Sequence, residues 1–268
     1  MPFSIVEASG EALGPGATGD VPPQAAGGGR ARPGLVSSLN KSVAIRIDPV
    51  QARLSRMSGS TRMSVRLADQ AIREGGFRGR WLMVTATYRP GVNWSPGHVA
   101  AFMACLRKWF HRRGRRFVCV WVAEMQQRGA VHYHVLVWLP KGLTLPKSDQ
   151  RGWWPHGSTK TEVVRHAVAY IAKYASKGEG GPRFPKGCRI HGSAGLDRLA
   201  KRYRRWALAP GYVRKAFPIN DGMPPDLTRP KGGGWLDRET GEFVVSPWCV
   251  LFSGGCAYLI PRGSPGVW

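Results

Sequence analysis

Val118-Cys119-Val120-Trp121-Val122-Ala123-Glu124-Met125, then Gln126-Gln127-Arg128-Gly129-Ala130, then Val131-His132-Tyr133-His134-Val135-Leu136-Val137-Trp138-Leu139: the reading of this chain turns on that stretch. Two apolar, β-branched runs flank a short polar segment, the pattern of two strands joined by a turn. Strand side chains alternate between faces, so His132 and His134 project from the same side. Closing the hairpin around Arg128-Gly129 sets positions whose numbers add to about 256 opposite one another, which puts Glu124 across from His132. Two imidazoles and a carboxylate then share one face, a donor set suited to a divalent cation. A second reading stands beside it, since an isolated HxH pair is commonly just the polar side of a solvated strand. The flanks Val131, Val135, Leu136, Val137 and Trp138 are apolar on both faces, as in a central strand. Histidines buried there need hydrogen-bond partners, a charge or an ion.

Outward from the hairpin, charge is the dominant signal. Forty Lys+Arg face 16 Asp+Glu across 268 residues, a formal net charge of +24. Such an excess attracts polyanions, and nucleic acid is the usual one. No apolar run is long enough to cross a bilayer, and the N-terminus lacks the pattern of a secretory signal, so a cytoplasmic protein without a membrane partner is expected. The five cysteines form no CxxC pair, and no GxxxxGK[ST] phosphate loop occurs. Neither a cysteine zinc site nor nucleotide hydrolysis is indicated.

Composition divides the chain into four parts. Residues 1–40 hold eight Gly and five Pro and read as a disordered leader. Residues 41–79 form a basic pre-domain segment, with a short strand at Val43–Ile47 and a helix over Met63–Glu74. The main domain spans 80–215, and 216–268 is a linker with a strand-rich tail. Within the main domain, Trp81–Tyr88 reads as a strand with Thr85 and Thr87 offering hydroxyls from one face. Ser95-Pro96 opens a helix to about Arg113. Arg107, Lys108, Arg112, Arg113, Arg115 and Arg116 crowd its end, more cations than capping requires. They read as a phosphate-facing patch. Pro140–Lys160 reads as a long loop with Trp153-Trp154, one indole for the core and the other left open. Gly187–Gly192 is the candidate last sheet strand. Leu196–Leu208 is a basic helix whose Arg202 and Arg205 suit a nucleic-acid backbone.

Thr161–Lys177 reads as a second decisive element, a helix with Glu162 in its first turn and Gly178 at its stop. Tyr170 and Tyr174 stand one turn apart on one face. Lys173 and Lys177 form a parallel pair. Alone, Tyr-x-x-x-Tyr is commonly a core stripe. Next to two histidines and a glutamate in a strongly basic chain, it takes on chemistry. A phenol can attack phosphorus where cations stabilise the developing charge and hold the phosphodiester in line. A divalent ion on His132, His134 and Glu124 would polarise the non-bridging oxygens, with Lys173 assisting.

His132-Tyr133-His134 followed by Tyr170-Ile171-Ala172-Lys173-Tyr174-Ala175-Ser176-Lys177 resembles the HUH endonucleases. The likeness is to their two-tyrosine rolling-circle initiators, among them the gene A proteins of small single-stranded DNA phages and related phage and plasmid Rep proteins. It covers roughly residues 80–195, with Leu82–Tyr88 as the first of three ordered motifs. The resemblance implies an α+β fold, a five-stranded antiparallel sheet with helices packed on one side. It further implies a Mg²⁺ or Mn²⁺ ion and a site-specific nick in single-stranded DNA at a replication origin, through a 5′-phosphotyrosine link that leaves a free 3′-hydroxyl. Tyr170 and Tyr174 are then the nucleophiles. Without an ATPase motif, a host helicase and DNA polymerase in a bacterial cytoplasm would do the rest. Thr85, Thr87, Arg112, Arg113, Arg115, Arg116, Lys177, Arg202 and Arg205 are the expected DNA contacts. Two rivals remain open: a two-tyrosine transposase, and a non-catalytic binder of single-stranded nucleic acid.

Overall fold

The computed structural model describes residues 44–127, 129–176, 183–231 and 233–263. The leader 1–40, Arg128 and Lys177 lie outside these described residues. In chain order the elements are β1 (Ile45–Ile47), α1 (Pro49–Glu74), β2 (Gly79–Tyr88), α2 (Gly97–His111), β3 (Cys119–Met125), β4 (Val131–Pro140), β5 (Gly157–Val164) and α3 (Ala167–Ser176). There follow β6 (His191–Ala194), α4 (Arg198–Ala207), α5 (Gly211–Ala216), β7 (Leu227–Thr228), β8 (Trp235–Asp237), β9 (Phe243–Val244), β10 (Trp248–Ser253) and β11 (Cys256–Pro261). By contact the chain divides into two units, residues 48–208 and residues 1–47 with 209–268.

The 48–208 unit is built on a five-stranded antiparallel sheet in the order β5-β2-β4-β3-β6. The central hairpin pairs as its sequence demands, with Glu124 opposite His132 and Val122 opposite His134. Its turn closes through Gln126 N–H to Ala130 O (2.9 Å) and Gly129 N–H to Gln126 O (2.9 Å). Gly129 sits at φ 81°, where a side chain would be strained.

Helices cover both faces, not one. On one side, α1 packs against α3, β3 and β6, and α3 packs against β3 and β4. On the other, His98 and Phe102 of α2 meet Tyr88 and Trp154, and Trp154 packs edge-on against Tyr133. Burying both faces explains why β4 is apolar nearly throughout. Trp154 is fully buried and donates its indole N–H to Thr87 O at 3.1 Å, whereas Trp153 is half-buried beside Trp109. His98 and His156 stack with ring centres 3.6 Å apart.

Three elements differ from their sequence reading. The loop expected over Pro140–Lys160 ends early, because Gly157–Val164 pairs along β2 as the edge strand β5. Its β-branched Thr159, Thr161, Val163 and Val164 favour an extended backbone over a helical start at Thr161. The first helix begins at Pro49 rather than Met63, capped by the Asp48 carboxylate, which accepts from Val50 N–H (2.8 Å) and Gln51 N–H (3.1 Å). The last strand is His191–Ala194, shifted toward the C-terminus from Gly187–Gly192.

The other unit holds two small sheets, β1-β11-β10 and β7-β8-β9. The hairpin β10–β11 turns at Gly254-Gly255, both at positive φ, as a two-residue turn requires. No helix among the described residues is long and apolar enough to cross a membrane.

Candidate functional site

The sheet carries the site on the face covered by α1 and α3. Register sets one row of side chains across all five strands: Lys160, Thr85, His134, Val122 and His191. The next row toward the hairpin turn runs Ser158, Thr87, His132 and Glu124. His132 and His134 are 8% and 4% exposed, so neither is the polar edge of a solvated strand. Their partners account for the burial. His134 Nε2 lies 2.6 Å from Glu124 Oε2, and His134 Nδ1 lies 3.2 Å from Thr85 Oγ1. With Glu124 ionised, Nε2–H donates to the carboxylate and Nδ1 accepts from the Thr85 hydroxyl. Thr85, expected to face DNA, thus orients the imidazole.

The tyrosines reach this face because of the topology. The chain leaves β5 at one edge of the sheet and enters β6 at the other, and α3 lies on that crossing. Tyr174 stacks on His134, ring centres 3.6 Å apart and planes 19° apart. Tyr170 stands next along the helix, 5.6 Å from Tyr174. Its hydroxyl donates to Glu162 Oε2 at 3.3 Å, and Lys160 Nζ lies 2.7 Å from Glu162 Oε1. Hydrogen bonding to Tyr174, then burial, then the charges of Tyr174 and Glu162 push the Tyr170 phenol up to about 12. Lys160 holds the Glu162 carboxyl below its usual range. The two tyrosines are therefore unequal: one lies against the histidine, the other is held protonated beside a carboxylate. Tyr133 faces the opposite side, fully buried, its oxygen accepting from the Trp94 indole at 2.7 Å.

Among the described residues no three His, Cys, Asp or Glu side chains gather as a ready cation cage. The donor chemistry nonetheless fits a divalent ion. Two imidazoles share the face, and an oxygen donor stands opposite one and bonded to the other.

The expected DNA contacts do not all converge here. Lys173 is exposed on α3 and Thr87 is half-buried beside His132. Arg112, Arg113, Arg115 and Arg116 are exposed between the end of α2 and the start of β3. At about 3.3 Å per residue they lie roughly 20 Å or more from Glu124. Arg113 lies over the Trp109 ring at 4.1 Å, and Arg116 donates to Gly195 O. A cavity of about 470 Å³, bordered by Ile72, Arg78, Arg115, Trp138 and Leu196, opens at that end. On α4, Arg205 is exposed and Arg202 buried. The sequence reading missed Glu162 and Lys160 as site residues. It took Glu162 for a helix-opening acid, although the alternation of Ser158, Lys160 and Glu162 with β-branched neighbours is the signal of a strand.

Residues 81–179 match the family model for replication-associated protein ORF2/G2P. That span runs from within β2 through α3, and holds both histidines, Glu124 and both tyrosines. No match was found among curated proteins or solved structures. The family match supports a role in the initiation of rolling-circle replication, and hence DNA binding.

Proposed function

We propose that the 48–208 unit nicks single-stranded DNA at a replication origin and carries the cut strand on a tyrosine, as a two-tyrosine HUH initiator. The observation that carries this reading is Tyr174 stacked on His134, itself bonded to Glu124. A buried histidine–glutamate pair under a phenol has no use in a protein that only binds nucleic acid. Glu124, His132 and His134 are the residues that would hold a Mg²⁺ or Mn²⁺ ion, which would neutralise charge on the non-bridging oxygens of the bound phosphate. Ligation would require His134 to turn its Nε2 lone pair from Glu124 to the ion and to carry its proton on Nδ1, where the Thr85 hydroxyl oxygen would accept it and hold the ring in place. The Tyr174 oxygen attacks phosphorus, the bond from phosphorus to the 3′ oxygen breaks, and the phenolic proton is given up as the 3′ oxygen gains one. The exchange forms a 5′-phosphotyrosine and a free 3′-hydroxyl, with one phosphoester made for one broken. Tyr170 follows in a second transfer, its hydroxyl held until then by the Glu162 carboxylate. A host helicase and polymerase would unwind the duplex and extend the 3′-hydroxyl.

The test is covalent capture on a denaturing gel with labelled, random-sequence single strands and Mn²⁺. Wild type should give an EDTA-sensitive adduct that weakens most in Tyr174→Phe and vanishes in the Tyr170→Phe/Tyr174→Phe double variant. An adduct that persists in the double variant, or none with wild type, overturns the proposal.

A further inference from the structure

The β6 end of the same sheet face holds a second cluster that the nicking chemistry does not use. Three elements distant in sequence build it: Arg53, Arg56 and Ser60 from α1, His191 and Ser193 from β6, and Arg204 from α4, with Arg189 just ahead of β6. Arg204 spans the group, donating from Nη1 to Ser193 Oγ (2.9 Å) and from Nη2 to Ser60 Oγ (3.1 Å). Arg53 donates to Cys188 O. Burial and the charges of Arg204, Arg189, Arg53 and Arg56, in that order, push His191 down to about 4, so it is neutral at physiological pH. Burial also lowers the proton affinity of Arg204.

No carboxylate balances this. Among the described residues none of the four arginines forms an ion pair. Arg53 and Arg204 are half-buried without a counterion, which is unfavourable, and α1 and α4 bring them together instead of dispersing them in solvent. The missing partner is an anion. Its class follows from shape and place. Guanidinium forks match phosphate oxygens. His191 lies in the same cross-strand row as His134, two strands away, or about 10 Å at the usual strand spacing.

We propose that Arg53, Arg56, Arg189 and Arg204, gathered round His191, bind a backbone phosphodiester of single-stranded DNA next to the strand segment lying at His134 and Tyr174. The assignment of the strand to that face rests on the nicking reading above; the anion site itself does not. Arg204 and its two serines make the fixed floor; Arg56 is exposed on α1, and Arg189, also exposed, lies over the Trp121 ring with its guanidinium 5.7 Å from the ring centre, so both would have to turn toward the phosphate from outside.

The experiment is fluorescence anisotropy of a labelled 12-nucleotide oligothymidylate in EDTA, with NaCl varied from about 50 to 400 mM. Cleavage is silent there, so the result is independent of the adduct assay. The variants are Arg56→Gln, Arg204→Gln, Arg204→Lys and, as a one-charge control, Arg73→Gln. Arg73 is already paired with Asp69 on α1. Arg56→Gln and Arg204→Gln should each weaken binding roughly 3- to 10-fold and flatten the plot of log affinity against log salt by about 0.7, the value of one lost single-strand phosphate contact. Arg204→Lys should keep the slope and Arg73→Gln should match wild type. Unchanged slopes in both Gln variants overturn the site. So does an equal fall in Arg73→Gln, which would mean a general charge effect. A loss confined to both Arg204 variants, with Arg56→Gln unaffected, assigns Arg204 a structural role and also overturns it. Flattened slopes without any covalent adduct would leave this site standing and remove the nickase reading.

Discussion

Acid should weaken the sheet through His191. The perturbation is protonation of an imidazole surrounded by Arg204, Arg189, Arg53 and Arg56. Burial, then those charges, bring its pKa from about 6.5 in the unfolded chain down to about 4. The unfolded state therefore binds the proton more readily between those values, and stability must rise with pH across that window. The contribution is complete above about pH 6.5 and is lost as pH falls toward 4. At about 1.4 kcal/mol for each tenfold change in proton affinity, the upper bound is roughly 3 kcal/mol, and partial exposure of the ring reduces it to about 1–2. Urea unfolding of wild type and His191→Gln at pH 7.5, 6.0 and 4.5 measures it. Other titrating groups cancel in the comparison. Wild type should lose about 1–2 kcal/mol more than the variant between pH 7.5 and 4.5. Parallel pH profiles would refute the argument.

Three further outcomes follow from particular contacts. Trp154→Ala should cost about 3–5 kcal/mol in urea unfolding, because a fully buried indole and its bond to Thr87 O both go. Gly157→Ala should cost about 1–3 kcal/mol and loosen β5, since an added Cβ runs into the Thr87 carbonyl oxygen and the Arg89 backbone nitrogen; hydrogen exchange at Thr159 and Thr161 reports that loosening. Mn²⁺ at 100 times its dissociation constant should stabilise wild type by about 2.7 kcal/mol in thermal unfolding. His132→Ala and Glu124→Ala should abolish that gain, and a gain retained in both would exclude them as ligands.

The site was legible where its geometry is local. Glu124, His132 and His134 lie within one hairpin, so alternation and turn length suffice to place them. The i,i+4 spacing of Tyr170 and Tyr174 likewise follows from helical period alone. What sequence does not carry is the partner brought from afar. Glu162 joins the face only because β5 pairs with β2, and Thr161-Glu162 equally resembles a helix opening with an acidic first turn. The long first helix is masked by Ser58-Gly59-Ser60, residues of low helical propensity that the structure uses because they pack: Ser60 is buried and holds Arg204. The His191 cluster joins Arg53 to Arg204, and no periodicity links those positions. The arginines after α2 show the converse, an obvious signal in sequence that the fold carries to the far end of the sheet.

The pairing of β1 with β11 has a consequence for synthesis. Ile45 lies opposite Leu259, so β1 leaves the ribosome long before the strand it pairs with. At ordinary elongation rates that interval is on the order of ten to forty seconds. Residues 48–208 meanwhile emerge with all five strands of their own sheet and need nothing downstream to pair them. A nascent chain stalled before Cys256 would thus carry a finished histidine–tyrosine face alongside an orphaned strand edge. Its vulnerability to proteases and to aggregation would lie in Ile45–Ile47.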